Sequence, residues 1–242
     1  SSRYTVKLGG LATAYNTDDN LATIAFSNTS SLTKLSGSLG AIFPTLADGS
    51  QPSFYQTFYG ANNIYDEIPA DLFAGISGQP RAYMFYRTFY GCNRLSGIGG
   101  ALFAGISGTP AQYMFYQTFY NCSGLTGEIP ANFIGALSGN AATNMFAYMF
   151  ANCRNLTGNT VRAGGEYLYN IWPDATTDQI GGVYEGAMGL TGMRCGSEDQ
   201  VPLSWGGPVC LDYWPLELTT TNTYSYSFYI AAAGTFYVDW GD

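Results

Sequence analysis

The chain has 242 residues, 46% of them hydrophobic, so a sizeable core is available, yet charged residues make up only 11%, well under the usual quarter. A net charge of −8 with nine scattered Lys and Arg excludes a nucleic-acid groove, which sets clustered cations against phosphate. The absence of His removes the commonest general base and the usual Ser and Cys triads, and no apolar run approaches the ~20 residues of a membrane-spanning helix.

Taken in chain order, the first signal is "SSRYT", which lacks an initiator Met and reads as the start of a mature or excised piece of a longer precursor. A motif, Phe-x-x-small-x-x-Leu/Ile, then runs from Phe26 to Leu32, Phe58 to Ile64, Phe89 to Leu95, Phe119 to Leu125 and Phe150 to Leu156. A degenerate copy spans Tyr184 to Leu190. Near-constant spacing of this size is the signature of a solenoid, in which each unit buries its apolar side on its neighbours.

Residues 110–139 show what one unit should contain. Pro110 suits the first position of a helix, and Phe115, Thr118, Phe119 and Cys122 fall at i, i+3, i+4 and i+7, the stripe of a helical face. "SGLTGEIP", with Leu125 and Ile129 apolar, predicts a short strand ended by Pro130. "ANFIGALSG" predicts a short helical turn stopped by Gly139. Each unit is therefore expected to hold a strand, a short helix and a longer helix. Phe85, Thr88, Phe89 and Cys92 make the preceding inward stripe, and Phe146, Met149, Phe150 and Cys153 the following one.

The five cysteines fall into two groups. Cys92, Cys122 and Cys153 sit in the motif and read as a ladder of small buried hydrophobes, because Ala61 and Ala187 fill the same slot elsewhere. Cys195 and Cys210 bracket a loop that a disulfide could close in an oxidising compartment. Near the C-terminus, "YSYSFYI" alternates as a half-buried strand does.

At "MFYQTFYNCSGLTGEIPANF", with further copies in "MFYRTFYGCNRLSGIGGALF" and "MFAYMFANCRNLTG", the sequence resembles the bacterial surface leucine-rich-repeat family of the BspA type. That resemblance covers roughly residues 20–195. It implies a curved α/β solenoid, with short parallel strands on one side and helices on the other, in a secreted or cell-surface protein used for adhesion or assembly. The units here are longer than many in that family, through the Gly-rich "AGISGQP" and "AGISGTP" connections. The two ends resemble pieces of polycystic-kidney-disease-type β-sandwiches: "RYTVKLGGLA" its last strand, and "TFYVDWGD" its early strand and turn.

The expected organisation is a terminal strand segment over 1–19, a leucine-rich-repeat solenoid over 20–195, a capping loop over 196–214, and sandwich strands over 215–242. Unpaired strand edges template pairing with another chain. The termini are therefore expected to pair with each other or with an adjacent copy, head to tail.

Candidate sites are few. Glu67 and Glu128 occupy matching "EIP" positions, with Asp66 beside the first, and read as solvated strand-face residues rather than as a catalytic pair. No phosphate loop occurs. Asp18, Asp19, Glu198, Asp199, Asp239 and Asp242 supply oxygens without the spacing of a calcium loop, so no metal and no cofactor is expected. Tyr55, Tyr86 and Tyr116 are equivalent across units, as are Tyr59, Tyr90 and Tyr120. Stacking would align them into two aromatic rows, read either as an interaction surface or as rings that fill space between neighbouring helices with their hydroxyls wet, and Arg87 between two such tyrosines reads as a surface charge rather than as a cation stacked on a ring. Asn28, Asn121 and Asn155 lie in glycosylation sequons. Asn121 and its equivalent Asn152 fit left-handed backbone positions, which leaves Asn28 and Asn155 as glycan candidates.

The function expected is that of a non-enzymatic, secreted or cell-surface building block of a larger array or fibre, binding copies of itself or a host surface protein or glycan. The alternatives are a module recognising a host protein or glycan through the aromatic face, and a carboxylate-based glycosidase.

Overall fold

Backbone hydrogen bonds join segments about thirty residues apart throughout a computed structural model of the chain. The structure describes residues 5–197 and 199–209, which lie in the first of the two units, 1–210 and 211–242, into which the chain divides. Phe54, Gln56, Phe58 and Gly60 donate their N–H groups to the carbonyls of Met84, Tyr86, Thr88 and Tyr90. Phe85, Arg87, Phe89 and Gly91 donate in turn to Met114, Tyr116, Thr118 and Tyr120, and Phe115, Gln117, Phe119 and Asn121 to Met145, Ala147, Met149 and Ala151. Tyr148, Phe150 and Asn152 donate onward to Gly181, Val183 and Glu185.

The helix expected over 110–122 is not formed, and neither are its counterparts. The alternate N–H groups of these runs bond to the carbonyl three residues back, as Thr88 does to Phe85 and Tyr90 to Arg87, giving overlapping turns. Every fourth residue is left-handed: Tyr83 (φ 56°), Arg87 (φ 51°) and Gly91 (φ 71°) in one run, Tyr113 (φ 55°), Gln117 (φ 51°) and Asn121 (φ 60°) in the next. An α-helix tolerates no such residue, because it puts Cβ against the carbonyl. The side chains repeat on the same count. Met114 and Phe115, Thr118 and Phe119, and then Cys122 are buried, with outward residues between them. A stripe repeating every four residues drifts off an α-helix of 3.6 residues per turn, whereas a run that reverses every fourth residue keeps it facing inward.

The other parts of each unit pair in parallel. Strand β1 (Gly127–Glu128) pairs with β2 (Leu156–Thr157), two residues of the strand expected over "SGLTGEIP". Single bridges join Ile68 to Ile98, Phe103 to Ile134 and Ile134 to Ala163. The helical turn expected over 131–139 is absent, and bridges at Ile134 and Leu137 take its place. The Gly-rich connections also pair, Gly78 with Ile106 and Gly108 with Leu137. Glycine is required where segments meet most closely: a Cβ on Gly105 would lie 2.1 Å from the Ile76 carbonyl oxygen, and one on Gly135 would lie 2.3 Å from that of Ile106.

Columns of rings fill the interior. Phe26, Phe58, Phe89, Phe119 and Phe150 stack successively at 5.6, 5.2, 5.3 and 5.0 Å between centroids. Phe54, Phe85, Phe115 and Phe146 form a second column at 5.7, 5.2 and 5.6 Å. Phe73, Phe103 and Phe133 form a third. The buried threonines of the repeated runs are satisfied from one segment to the next, whereas Ser53 Oγ, Thr160 Oγ1 and Trp205 Nε1 have no hydrogen-bond partner among the described residues. Thr88 and Thr118 donate their hydroxyls to the carbonyls of Phe54 and Phe85 at 2.8 and 2.9 Å.

The ladder becomes irregular after residue 160. Strand β3 (Arg162–Ala163) pairs antiparallel with β4 (Glu166–Tyr167), followed by α1 (Leu168–Ile171) and α2 (Thr177–Ile180). Thr176 and Gln179 cap α2 reciprocally. Within the described part of the expected cap, 199–209, a 3-10 turn at Leu203–Trp205 buries Trp205, whose carbonyl accepts the N–H of Tyr184. Residues 5–19 form none of the strand expected over 1–19. Val6 and Leu8 are exposed, and the stretch is tied to the neighbouring turns by Ala12 N–H to Ile42 O and by Tyr15 OH to Pro44 O. Residues 1–4 and the strands expected over 215–242 lie outside the described residues.

Candidate functional site

The four-residue rhythm that buries the Phe pairs turns the intervening pairs outward. Tyr86 with Arg87, Tyr116 with Gln117, and the tyrosines at 90 and 120 emerge half-buried on one face. Tyr55, Tyr86 and Tyr116 stack at 4.8 and 5.1 Å with ring planes 4° and 13° apart. Tyr59, Tyr90 and Tyr120 stack at 4.8 and 5.0 Å, 6° and 10° apart. A third row, Tyr83 on Tyr113 at 4.8 Å, completes the face. Its signal was present in "AYMF" and "QYMF", where Tyr83 and Tyr113 stand at i to Tyr86 and Tyr116 at i+3 and Tyr90 and Tyr120 at i+7. Tyr148 ends the first row edge-on to Tyr116.

Between the two longer rows runs a polar column, Gln56, Arg87 and Gln117. Arg87 Nε donates to Gln117 Oε1 at 2.7 Å, and its guanidinium carbon lies 5.1, 5.4 and 5.6 Å from the ring centroids of Tyr86, Tyr90 and Tyr116. Arg87 is thus packed over rings of both rows rather than standing as a simple surface charge. Burial, partly offset by Arg87, holds the Tyr86 phenol above its ordinary range. The Tyr90 phenol is also raised, by burial and by the neighbouring Tyr59 and Tyr120. Both are therefore hydrogen-bond donors at neutral pH.

The remaining candidates are scattered. Glu67 and Glu128 are exposed and lie against Gly97 and Gly158. They are two ladder steps apart, about 10 Å at the spacing of neighbouring strands. Asp66 pairs with Lys34 at 3.1 Å and Asp19 with Arg81 at 3.2 Å. Asp18 accepts the N–H of Asn20, and Asp199 accepts the Tyr167 hydroxyl at 2.7 Å. Among the described residues no group of three or more His, Cys, Asp or Glu could hold a metal ion. Glu198, Asp239 and Asp242 lie outside them.

Cys92, Cys122 and Cys153 are free and buried, and donate to the carbonyls of Phe58, Phe89 and Phe119 at 3.2, 3.0 and 3.0 Å. Burial raises the thiols of Cys92 and Cys153 to about 12 and that of Cys122 well above the ordinary range, so they are inert at neutral pH. Cys195 is disulfide-bonded; Cys210 lies outside the described residues. Asn121 (φ 60°) and Asn152 (φ 62°) are left-handed. Asn28 and Asn155 are exposed, although Asn155 Nδ2 already donates to Ser123 O at 2.8 Å. An open cleft of about 830 Å³ near the C-terminal end is lined by Tyr148, Asp178, Glu185 and Gly206, among others.

Comparison with family models, with curated proteins and with solved structures finds no match. Among the described residues, no helix is long and apolar enough to cross a membrane.

Proposed function

We propose that the chain is a leucine-rich-repeat-like solenoid, secreted or displayed at a cell surface, that serves as a non-enzymatic structural and adhesive building block. The observation that carries this reading is the succession of inter-segment backbone hydrogen bonds from Phe54 to Asn152, with rings stacked from Phe26 to Phe150. Such a body gains length without a change of cross-section, as a spacer or fibre unit must. Its buried thiols and dispersed carboxylates argue against catalysis. Joining of copies through the terminal segments belongs to this proposal and concerns residues 1–19 and 215–242. A second reading, recognition of a host protein or glycan, is favoured by the tyrosine rows, because Tyr supplies large contact area at small entropic cost.

Electron microscopy of the purified chain tests the first reading, alongside sedimentation and retention on host-cell surfaces. End-to-end particles and surface retention are the expected result. A strictly monomeric chain at every concentration, with no retention, would overturn it.

A further inference from the structure

The tyrosine face restricts its own ligand. Tyr86 and Tyr90 each carry a ring on both faces, at 4.8 to 5.1 Å. The flat stacking of a sugar on an open ring is therefore blocked along the middle of the rows. What remains available is a comb of phenol edges and hydroxyls repeating at the ring spacing, with amide groups and one guanidinium between. Arg87 uses Nε on Gln117 and enters neither of the ion pairs among the described residues. Its terminal nitrogens keep the planar fork that matches a carboxylate. The rings around it exclude water from one side and hold it in place.

Two partner chemistries suit a cation in such a comb, an acidic peptide and an acidic glycan. Spacing separates them. An extended peptide advances about 3.3 Å per residue and falls out of step with rows at 4.8 to 5.1 Å. An extended 1,4-linked pyranose chain advances by close to one ring spacing per sugar and stays in step. We propose that the Tyr55–Tyr86–Tyr116 and Tyr59–Tyr90–Tyr120 rows bind an extended acidic polysaccharide of the 1,4-linked uronic class, with Arg87 taking one carboxylate and the phenols the ring hydroxyls. The proposal deepens the adhesive reading and rests on it.

Calorimetric titration of the full chain with cellohexaose, with the same hexasaccharide oxidised at C6 to the uronate, and with hexaglutamate tests this. The oxidised sugar is expected to bind, the neutral one roughly tenfold more weakly, and the peptide more weakly than the oxidised sugar. Arg87→Gln is the matching variant. Gln56 and Gln117 already fill that column in the neighbouring segments, so the variant is expected to keep the wild-type melting temperature. It should lose the preference for the oxidised sugar and its salt dependence. Equal binding of both sugars, tighter binding of the peptide, an unaffected Arg87→Gln chain, or no binding at all overturns the proposal. Retention on host cells by a chain that binds none of the three probes would leave the adhesive reading standing while removing this site. A wild-type chain that is strictly monomeric at every concentration and shows no retention would remove the reading itself.

Discussion

The phenylalanine columns and the tyrosine rows are the same construction in two environments. Both stack equivalent rings from successive segments at about five ångströms, as in Phe89 on Phe119 at 5.3 Å and Tyr90 on Tyr120 at 5.0 Å. The Phe rings from Phe54 onward are buried and Phe26 partly so, whereas the Tyr rings are half-exposed or, at Tyr59, 41% exposed. Stacking alone therefore does not tell core from surface. The buried columns hold the segments together through apolar area removed from water. The outer rows give up less water-exposed area and keep part of each ring toward solvent.

The largest effect expected from breaking the inner columns is alkaline unfolding. The thiols of Cys92 and Cys153 move from 9.0 to about 12 on folding, so the native state holds their protons more tightly than the unfolded chain does. Their contribution is complete below pH 9 and is lost as pH rises toward 12. Denaturant titrations over that range should show a falling midpoint, and a Cys92→Ala/Cys122→Ala/Cys153→Ala chain should lose part of the dependence, the remainder belonging to Tyr15, Tyr169 and Tyr184, whose phenols burial also raises. Phe119→Ala follows. It removes a ring packed between Phe89 and Phe150 and should cost about 3–5 kcal/mol in equilibrium unfolding. Thr118→Val keeps the shape but removes the hydroxyl bond to the Phe85 carbonyl, at about 1 kcal/mol. At the small end, Tyr90→Phe in the outer row should leave stability within about 0.5 kcal/mol, because the stack survives and only a half-exposed hydroxyl goes.

The period and the buried set were legible in the sequence because both depend on side-chain chemistry alone. Phe58, Phe89, Phe119, Phe150 and the three motif cysteines are buried as their spacing implied. The backbone between them was not legible. Positions i, i+3, i+4 and i+7 are shared by a helical stripe and by a strict four-residue rhythm over so short a run. The left-handed residues that separate the two include Tyr83, Arg87 and Gln117, types that carry no αL signal of the kind Gly or Asn gives. What lets them adopt it is the hydrogen bond each makes to the next segment, Arg87 N–H to Tyr116 O and Gln117 N–H to Ala147 O, a partner about thirty residues away. The two rows of the tyrosine face followed from the period, and the same period carries the third, Tyr83 on Tyr113.

Pairwise cysteine cross-linking along the outer row tests the stacking of segments most directly. Residues facing each other on adjacent parallel segments lie about 4.8 Å apart, within reach of a disulfide, whereas residues two segments apart do not. Oxidation of Tyr59→Cys/Tyr90→Cys and of Tyr90→Cys/Tyr120→Cys chains should give an intramolecular bond in the monomer, read by mass spectrometry of non-reduced peptides. The Tyr59→Cys/Tyr120→Cys chain should give none. Equal yields from all three pairs, or a bond only in the last, would contradict the stacked arrangement.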